Sequence, residues 1–260
     1  MPSLSVFLDL GGVIINKDQQ ITQWQSLVGE CFAELLGGDG EAWTRAFRIV
    51  THHLEQQEEA RGRTSADFMS FYWSYQLRWI RGMCEEVGIT APAEEECLAL
   101  ADRAIASITR RVQAALPGSV EAIRILHHRG YSLHLASGSC SLELAGYLDG
   151  LGVRHCFGRL YGADLINTFK EGPEYYVRLF ADVGIRPEEA LVVDDSPQAI
   201  SWVVETGAKT VLVSASAHPE AGAIPRIECL AQLPAFLKTF PVLRKQSKLH
   251  NRVDDTLLDK

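Results

Sequence analysis

Four places in the chain hold residue types that could do chemistry together: Asp9, Ser137-Gly138-Ser139, Lys170 and Asp194-Asp195-Ser196-Pro197. Each has an ordinary explanation by itself. A lone carboxylate after an apolar run is commonly a turn former or helix cap. A serine before a helix is commonly an N-cap, its hydroxyl accepting from the orphan amides of the first turn. A lone lysine is commonly solvated, and Asp-Asp-Ser-Pro can be merely a turn and a helix start. Their placement argues for more. Asp9, Ser137 and Asp194-Asp195 each close a short apolar run, and Lys170 lies in a loop just before a helix. In an open parallel sheet, ligands bind beyond the carboxyl ends of the strands. Three carboxylates, a hydroxyl and an ammonium are therefore expected to converge on one face.

The surrounding pattern supplies such a sheet. Val6-Phe7-Leu8-Asp9-Leu10, stopped by Gly11-Gly12, reads as a buried strand and a tight turn. From Asp18 to Ala115 only helical periodicity is present. Ile21, Trp24, Leu27, Val28, Cys31, Phe32 and Leu35 mark a first helix, and Trp43, Phe47, Val50 and Leu54 a second. Phe68, Phe71, Tyr72, Tyr75, Trp79 and Met83 mark a third, and Leu98, Ala101, Ile105, Ile108 and Val112 a fourth. Four such stripes predict a helical bundle. After Pro117-Gly118, helices and strands alternate. Strands are predicted at 131–136, 157–161, 190–194 and 210–213, and helices over 120–126, 142–151, 173–183 and 197–205. This alternation predicts an α/β fold, a parallel sheet covered on both faces and interrupted after its first strand by a helical insertion.

Composition removes other classes. The 260 residues are 47% hydrophobic and 22% charged, so a wholly disordered or fibrous chain is excluded. The net charge of −8 argues against non-specific nucleic-acid binding, which needs a basic footprint. No apolar stretch approaches the ~20 residues of a membrane span, and the first residues lack a secretory signal pattern. The six cysteines form no C-x-x-C pair and no zinc-binding cluster, and are expected as reduced, mostly buried thiols of a cytoplasmic protein.

In chain order, the motifs resemble the haloacid dehalogenase-like hydrolase superfamily. The resemblance covers residues 4–15 and roughly 116–237 and rests on four segments. They are Phe7-Leu8-Asp9-Leu10-Gly11-Gly12-Val13-Ile14, the strand ending at Ser137, Lys170-Glu171-Gly172-Pro173, and Val192-Val193-Asp194-Asp195-Ser196. The resemblance implies a Rossmann-like, doubly wound core of residues 1–17 and 116–240. Residues 18–115 would be a mobile helical cap; residues 241–260, polar and mixed in charge, read by composition as a flexible tail. The resemblance further implies a Mg²⁺-dependent phosphatase for a small phosphorylated metabolite, such as a sugar phosphate. Asp9 would be the nucleophile that accepts the phosphoryl group, with Lys170 as a positive charge beside it. Ser137, Gly138, Gly11 and Gly12 would hold the substrate. Asp9, the Gly11 carbonyl, Asp194 and Asp195 would hold the metal, Asp195 directly and Asp194 directly or through water.

The sequence departs from that pattern at Gly11, where phosphatases of this kind carry a second aspartate as general acid and base. The carbonyl survives but the proton donor does not. Two other readings stand beside the phosphatase: a metal-free 2-haloacid dehalogenase and a non-catalytic binding protein. Arg45, Arg48, Arg61, Arg63, Arg78, Arg81, His52 and His53 are read as solvated cap faces. The aromatic run Phe68–Trp73 is read as bundle core rather than a substrate wall.

Overall fold

A computed structural model of the chain describes residues 4–61, 67–215 and 224–239. Val6, Phe7 and Leu8 form an unbroken apolar run, the pattern of a strand covered on both faces. Ser5–Leu8 is that strand, β1, buried throughout. The helices α1 (Lys17–Leu36), α2 (Gly40–Arg61), α3 (Phe68–Val87) and α4 (Glu94–Arg111) follow before any second strand. Then come α5 (Ser119–His128), β2 (Ser132–Ala136), α6 (Ser141–Gly150), β3 (Leu160–Tyr161) and α7 (Pro173–Val183). The chain continues through β4 (Ala190–Asp194), α8 (Pro197–Glu205), β5 (Lys209–Val213), β6 (Arg226–Ile227) and α9 (Leu233–Thr239).

The sheet is parallel throughout, in the order β3-β2-β1-β4-β5-β6. β1 therefore sits centrally, with Phe7 opposite His134 on one side and Val192 on the other. The strand order reverses at β1, which places a crevice at the carboxyl ends of β1 and its neighbours. Alternate side chains enter two apolar layers. Val6 and Leu8 join the layer containing Ile123, Leu126, Leu144 and Leu148 of α5 and α6. Phe7 joins the opposite layer with Tyr175, Tyr176, Leu179 and Phe180 of α7.

The first four helices pack as a bundle, α1 against α2 and α4, and α3 against α2 and α4. Its centre is aromatic: Phe32 lies 5.3 Å from Trp43 and 5.5 Å from Trp79 between ring centroids. The bundle meets the α/β layers where α4 packs on α6. A Cβ on Gly146 would stand 1.8 Å from Thr109 Oγ1, and one on Gly150 2.4 Å from the Arg110 carbonyl oxygen. These glycines, four apart on one face of α6, are what lets α4 approach. The two chain crossings run side by side, Asn16 N donating to Ala114 O at 2.8 Å and Leu116 N to Ile14 O at 2.8 Å.

Most predicted elements stand within a few residues of their expected ends; the strand predicted over 157–161 does not. Arg154–Cys156 coil into a 3₁₀ turn, and only Leu160–Tyr161 pair with β2. β6 and α9 extend the core beyond the last predicted strand. All six cysteines are free, five of them buried. Among the described residues, no helix is long and apolar enough to cross a membrane. Residues 241–260, Arg63 and the side chain of Arg61 lie outside the described residues.

Candidate active site

Asp9 follows β1 directly, and its amide donates to Val193 O of β4 at 2.9 Å, which extends the strand pairing to the carboxylate itself. Asp194 is the last residue of β4, and Ser137 the first after β2. Three adjacent strands thus deliver polar side chains to one edge. Lys170, from the loop before α7, closes the arrangement. Its Nζ donates to Asp9 Oδ1 at 2.8 Å, Asp194 Oδ2 at 2.7 Å and Ala136 O at 2.9 Å. One buried ammonium therefore joins the ends of β1, β4 and β2.

Charge compensation explains why these groups can be buried together. Desolvation is the largest influence on Asp9 and pushes its carboxyl up to about 6, with Lys170 opposing and Asp194 and Asp195 reinforcing. Burial alone would lower Lys170, but the Asp9 and Asp194 carboxylates outweigh it and hold the ammonium well above its usual range. Asp194 has both oxygens engaged: Oδ1 accepts from Ser196 N at 2.8 Å and Oδ2 from Lys170. Asp195 is more open, and its Oδ2 accepts from Lys17 Nζ at 2.7 Å.

Oxygens from Asp9, Asp194 and Asp195 lie within 4.8 Å of one another. Three convergent carboxylates are a donor set that suits a hard divalent cation. Gly12 is required beside them. Its φ is +81°, and a Cβ there would stand 2.1 Å from Asp195 Oδ2. Gly11 is different, since its nearest neighbour would be the flexible Lys17 side chain, with Cε at 2.9 Å.

Ser137 is buried and held in place by its backbone. Its amide donates to Tyr161 O at 2.9 Å, and its carbonyl accepts from Tyr175 OH at 3.1 Å. Gly138 lines a cavity of about 190 Å³ with Phe68, Phe71, Phe169, Lys170 and Glu171. This corrects the reading of the aromatic run as bundle core. Phe68 packs with Cys140 and Ala163 of the α/β layers, and its ring lies 5.3 Å from Phe169. Phe68 and Phe71 are a wall of the cavity beside Lys170, while Trp73 is 54% exposed. Of the bundle arginines, Arg78 pairs with Glu58 at 2.6 Å and Arg81 with Glu94 at 3.5 Å. Arg45 and Arg48 are exposed and line a different hollow with Glu30 and Asp39.

Lys17 and Tyr175 were not legible as site-related residues. Lys17 reaches Asp195 across 178 positions of sequence. Tyr175 looks like an ordinary α7 core residue, and only the fold brings its hydroxyl to the Ser137 and Tyr161 carbonyls.

Comparison with known proteins follows this geometry. The chain is 27% identical to phosphoglycolate phosphatase of Salmonella typhimurium over 123 residues, 46% of this chain, and the match spans only about half (49%) of that relative. L-2-haloacid dehalogenase of Xanthobacter autotrophicus, solved with chloropropionic acid covalently bound, superposes with a TM-score of 0.54 at 16% identity. That superposition covers 92% of this chain and 99% of the dehalogenase. The magnesium-bound hydrolase YfnB of Bacillus subtilis superposes with a TM-score of 0.58 at 16% identity, covering 90% of this chain and 98% of its own. At such identities these structures establish the fold alone. The family model for haloacid dehalogenase-like hydrolase matches residues 5–201, so the chain belongs to the haloacid dehalogenase-like hydrolases.

Proposed function

We propose that the protein is a Mg²⁺-dependent phosphatase of a small phosphorylated metabolite, with Asp9 as the nucleophile. The observation that carries this reading is the convergence of the Asp9, Asp194 and Asp195 carboxylates around Lys170. Displacement of halide from carbon uses a carboxylate nucleophile and has less need of the Asp194-Asp195 pair beside it. Transfer of a dianionic phosphoryl group needs its charge neutralised beside the nucleophile, and a carboxylate cluster that can hold a cation supports that. The partial resemblance to a phosphatase points the same way.

In this reading Asp9, Asp194, Asp195 and the Gly11 carbonyl would hold magnesium, which would supply charge neutralisation for the dianionic phosphoryl group. Lys170 anchors Asp9 through Oδ1, leaving Oδ2 to attack phosphorus. The phosphorus–oxygen bond to the leaving group breaks as the Asp9–phosphorus bond forms. Water then attacks that phosphorus and loses a proton, inorganic phosphate departs, and the Asp9 carboxylate is restored. The Ser137 hydroxyl and the amide of Gly138 serve the non-reacting phosphate oxygens. Gly11 and Gly12 keep the nucleophile loop slim enough for substrate to approach, and Gly11 offers no proton to the leaving group. Helices α1–α4 act as the cap, with Phe68 and Phe71 facing the substrate. The net charge of −8 and the free thiols suit a cytoplasmic enzyme with no nucleic-acid partner.

The test is an assay of a panel of phosphate monoesters and 2-chloropropionate, with Mg²⁺ and with a chelator. Phosphate release that requires Mg²⁺ supports the proposal. Chelator-resistant chloride release would replace it with the dehalogenase reading, and turnover of neither would favour a binding protein.

A further inference from the structure

A second cavity, of about 310 Å³, lies where the four cap helices meet α6. None of Asp9, Ser137, Lys170, Asp194 or Asp195 lines it. Its walls include the rings of Trp24, Phe47, Tyr75 and Trp79 and the carboxyl groups of Glu55 and Glu143. No lysine, arginine or histidine is among the described residues that line it.

Two residues that line it carry polar atoms with no partner among the described residues, Gln76 Oε1 and Trp79 Nε1; Gln76 also borders the adjoining hollow with Tyr72. Both residues line the cavity and are only 5% and 4% exposed. A buried polar atom left unpaired is costly, so two on residues that line one cavity point to an occupant that pairs them. Two neighbouring donors are already paired. Trp24 Nε1 and Gln20 Nε2 both donate to Tyr147 OH, the latter at 2.7 Å.

The chemistry of the occupant follows from the lining. Aromatic faces carry negative quadrupole potential and attract cations. Two carboxyl groups in a lining that holds no basic side chain disfavour an anion, and the nearby Arg78 is already paired with Glu58. Burial pushes the Glu143 carboxyl up to about 7, with the nearby Asp164 adding to the rise and hydrogen bonds from Cys140 and Ser139 opposing it. A cation beside it would relieve that cost. Trp79 Nε1 requires an acceptor, and Gln76 Oε1 a donor.

We propose that this cavity binds a small organic ammonium ligand bearing a hydroxyl. The ammonium would lie against the aromatic rings and Glu143, and the hydroxyl between Trp79 Nε1 and Gln76 Oε1. The proposal does not depend on the phosphatase reading, because no group of the carboxylate cluster takes part.

The experiment is calorimetric titration of the full chain with choline and with its uncharged isostere, in which a tert-butyl group replaces the trimethylammonium. Choline is expected to bind with a Kd of about 1 mM or tighter. The isostere should bind about tenfold more weakly or worse, since it keeps the shape and the hydroxyl but loses the charge. Glu143→Gln should weaken choline binding about tenfold, and Trp79→Phe should weaken it while retaining a ring. Asp9→Asn should leave it unchanged. Thermal melting establishes that each variant folds. If Glu143→Gln does not, the isostere and Trp79→Phe carry the test. No choline binding by the folded wild type, or equal affinity for the isostere, would overturn the proposal. So would binding lost in Asp9→Asn and kept in Glu143→Gln, which would put the cation on the carboxylate cluster.

Discussion

The side chain of Lys17 lies across Gly11. A Cβ on Gly11 would stand 2.9 Å from Lys17 Cε, and the Lys17 ammonium reaches on to Asp195 Oδ2 at 2.7 Å. The place where the family resemblance leads one to expect an acidic side chain is thus covered by a flexible, 54% exposed lysine side chain. Nothing in the backbone at Gly11 demands glycine, because its φ is outside the left-handed region in which Gly12 lies.

The first prediction is that Gly11→Asp folds normally, Lys17 swinging aside, and gains activity selectively. Wild-type kcat/KM should fall steeply as the leaving-group pKa rises across a series of phosphate monoesters. The variant should flatten that dependence, raising alkyl-ester turnover by roughly 10² or more if the new carboxyl serves as general acid. A flat wild-type dependence with chemistry rate-limiting would show that another group already supplies the proton.

Asp194 and Asp195 should separate. Asp194 is 1% exposed and tied to Lys170 and Ser196 N, whereas Asp195 is held only by Lys17 among the described hydrogen bonds. Asp195→Ala is expected to weaken Mg²⁺ binding, measured by calorimetry, more than Asp194→Ala does. Asp194→Ala is expected to lower Tm more. The reverse ranking in both measurements would mean that the two roles are exchanged.

Lys170→Met leaves buried carboxylates without their shared cation. Removing one partner of a buried ion pair costs about 3–5 kcal/mol, so Tm in the absence of metal should drop sharply. Added Mg²⁺ should recover part of the loss, because it supplies positive charge to the same carboxylates. An unchanged Tm would show that Lys170 contributes nothing net to the fold.

His134 provides a pH prediction away from the catalytic cluster. It is 7% exposed, stacks on Phe7 with ring centroids 5.0 Å apart, and its Nδ1 accepts from Arg159 N at 3.2 Å. Burial, helped by Arg159, lowers its pKa to about 4 from the ordinary 6.5. The unfolded chain therefore binds the proton more readily between those values. Stability from this group is complete above pH 6.5 and is lost as pH falls toward 4, by up to about 3 kcal/mol. His134→Gln should flatten the acid limb of a Tm-against-pH curve. An unchanged limb would assign acid sensitivity to other groups.

Much of this architecture was legible because local pattern and tertiary environment agree. Val6–Leu8 and Ala190–Val193 are apolar runs of strand length, and each ends in a carboxylate that the parallel sheet carries to one edge. Pro173 and Gly184 bracket α7 because proline suits a helix's first turn and glycine its left-handed C-cap. Lys170 was legible only in combination with Asp9, Ser137 and Asp194-Asp195, since nothing local distinguishes it from a solvated lysine. Lys17 was not legible, because its partner is set by how α1 leaves the sheet. The Phe68–Trp73 run was misplaced for a related reason. Helical periodicity reveals that a face is apolar but not which neighbour covers it, and here that neighbour is Cys140, Ala163 and Phe169. The strand predicted over 157–161 failed at its start, where Arg154–Cys156 turn before the chain reaches the sheet.

The central claim is that Asp9 attacks phosphorus. The most direct measurement is Mg²⁺-dependent hydrolysis of p-nitrophenyl phosphate by wild type and by Asp9→Asn, with circular dichroism to establish that the variant is folded. The substitution is nearly isosteric at the end of β1, so the fold should persist while turnover falls to background. Undiminished hydrolysis by the folded variant would contradict the claim.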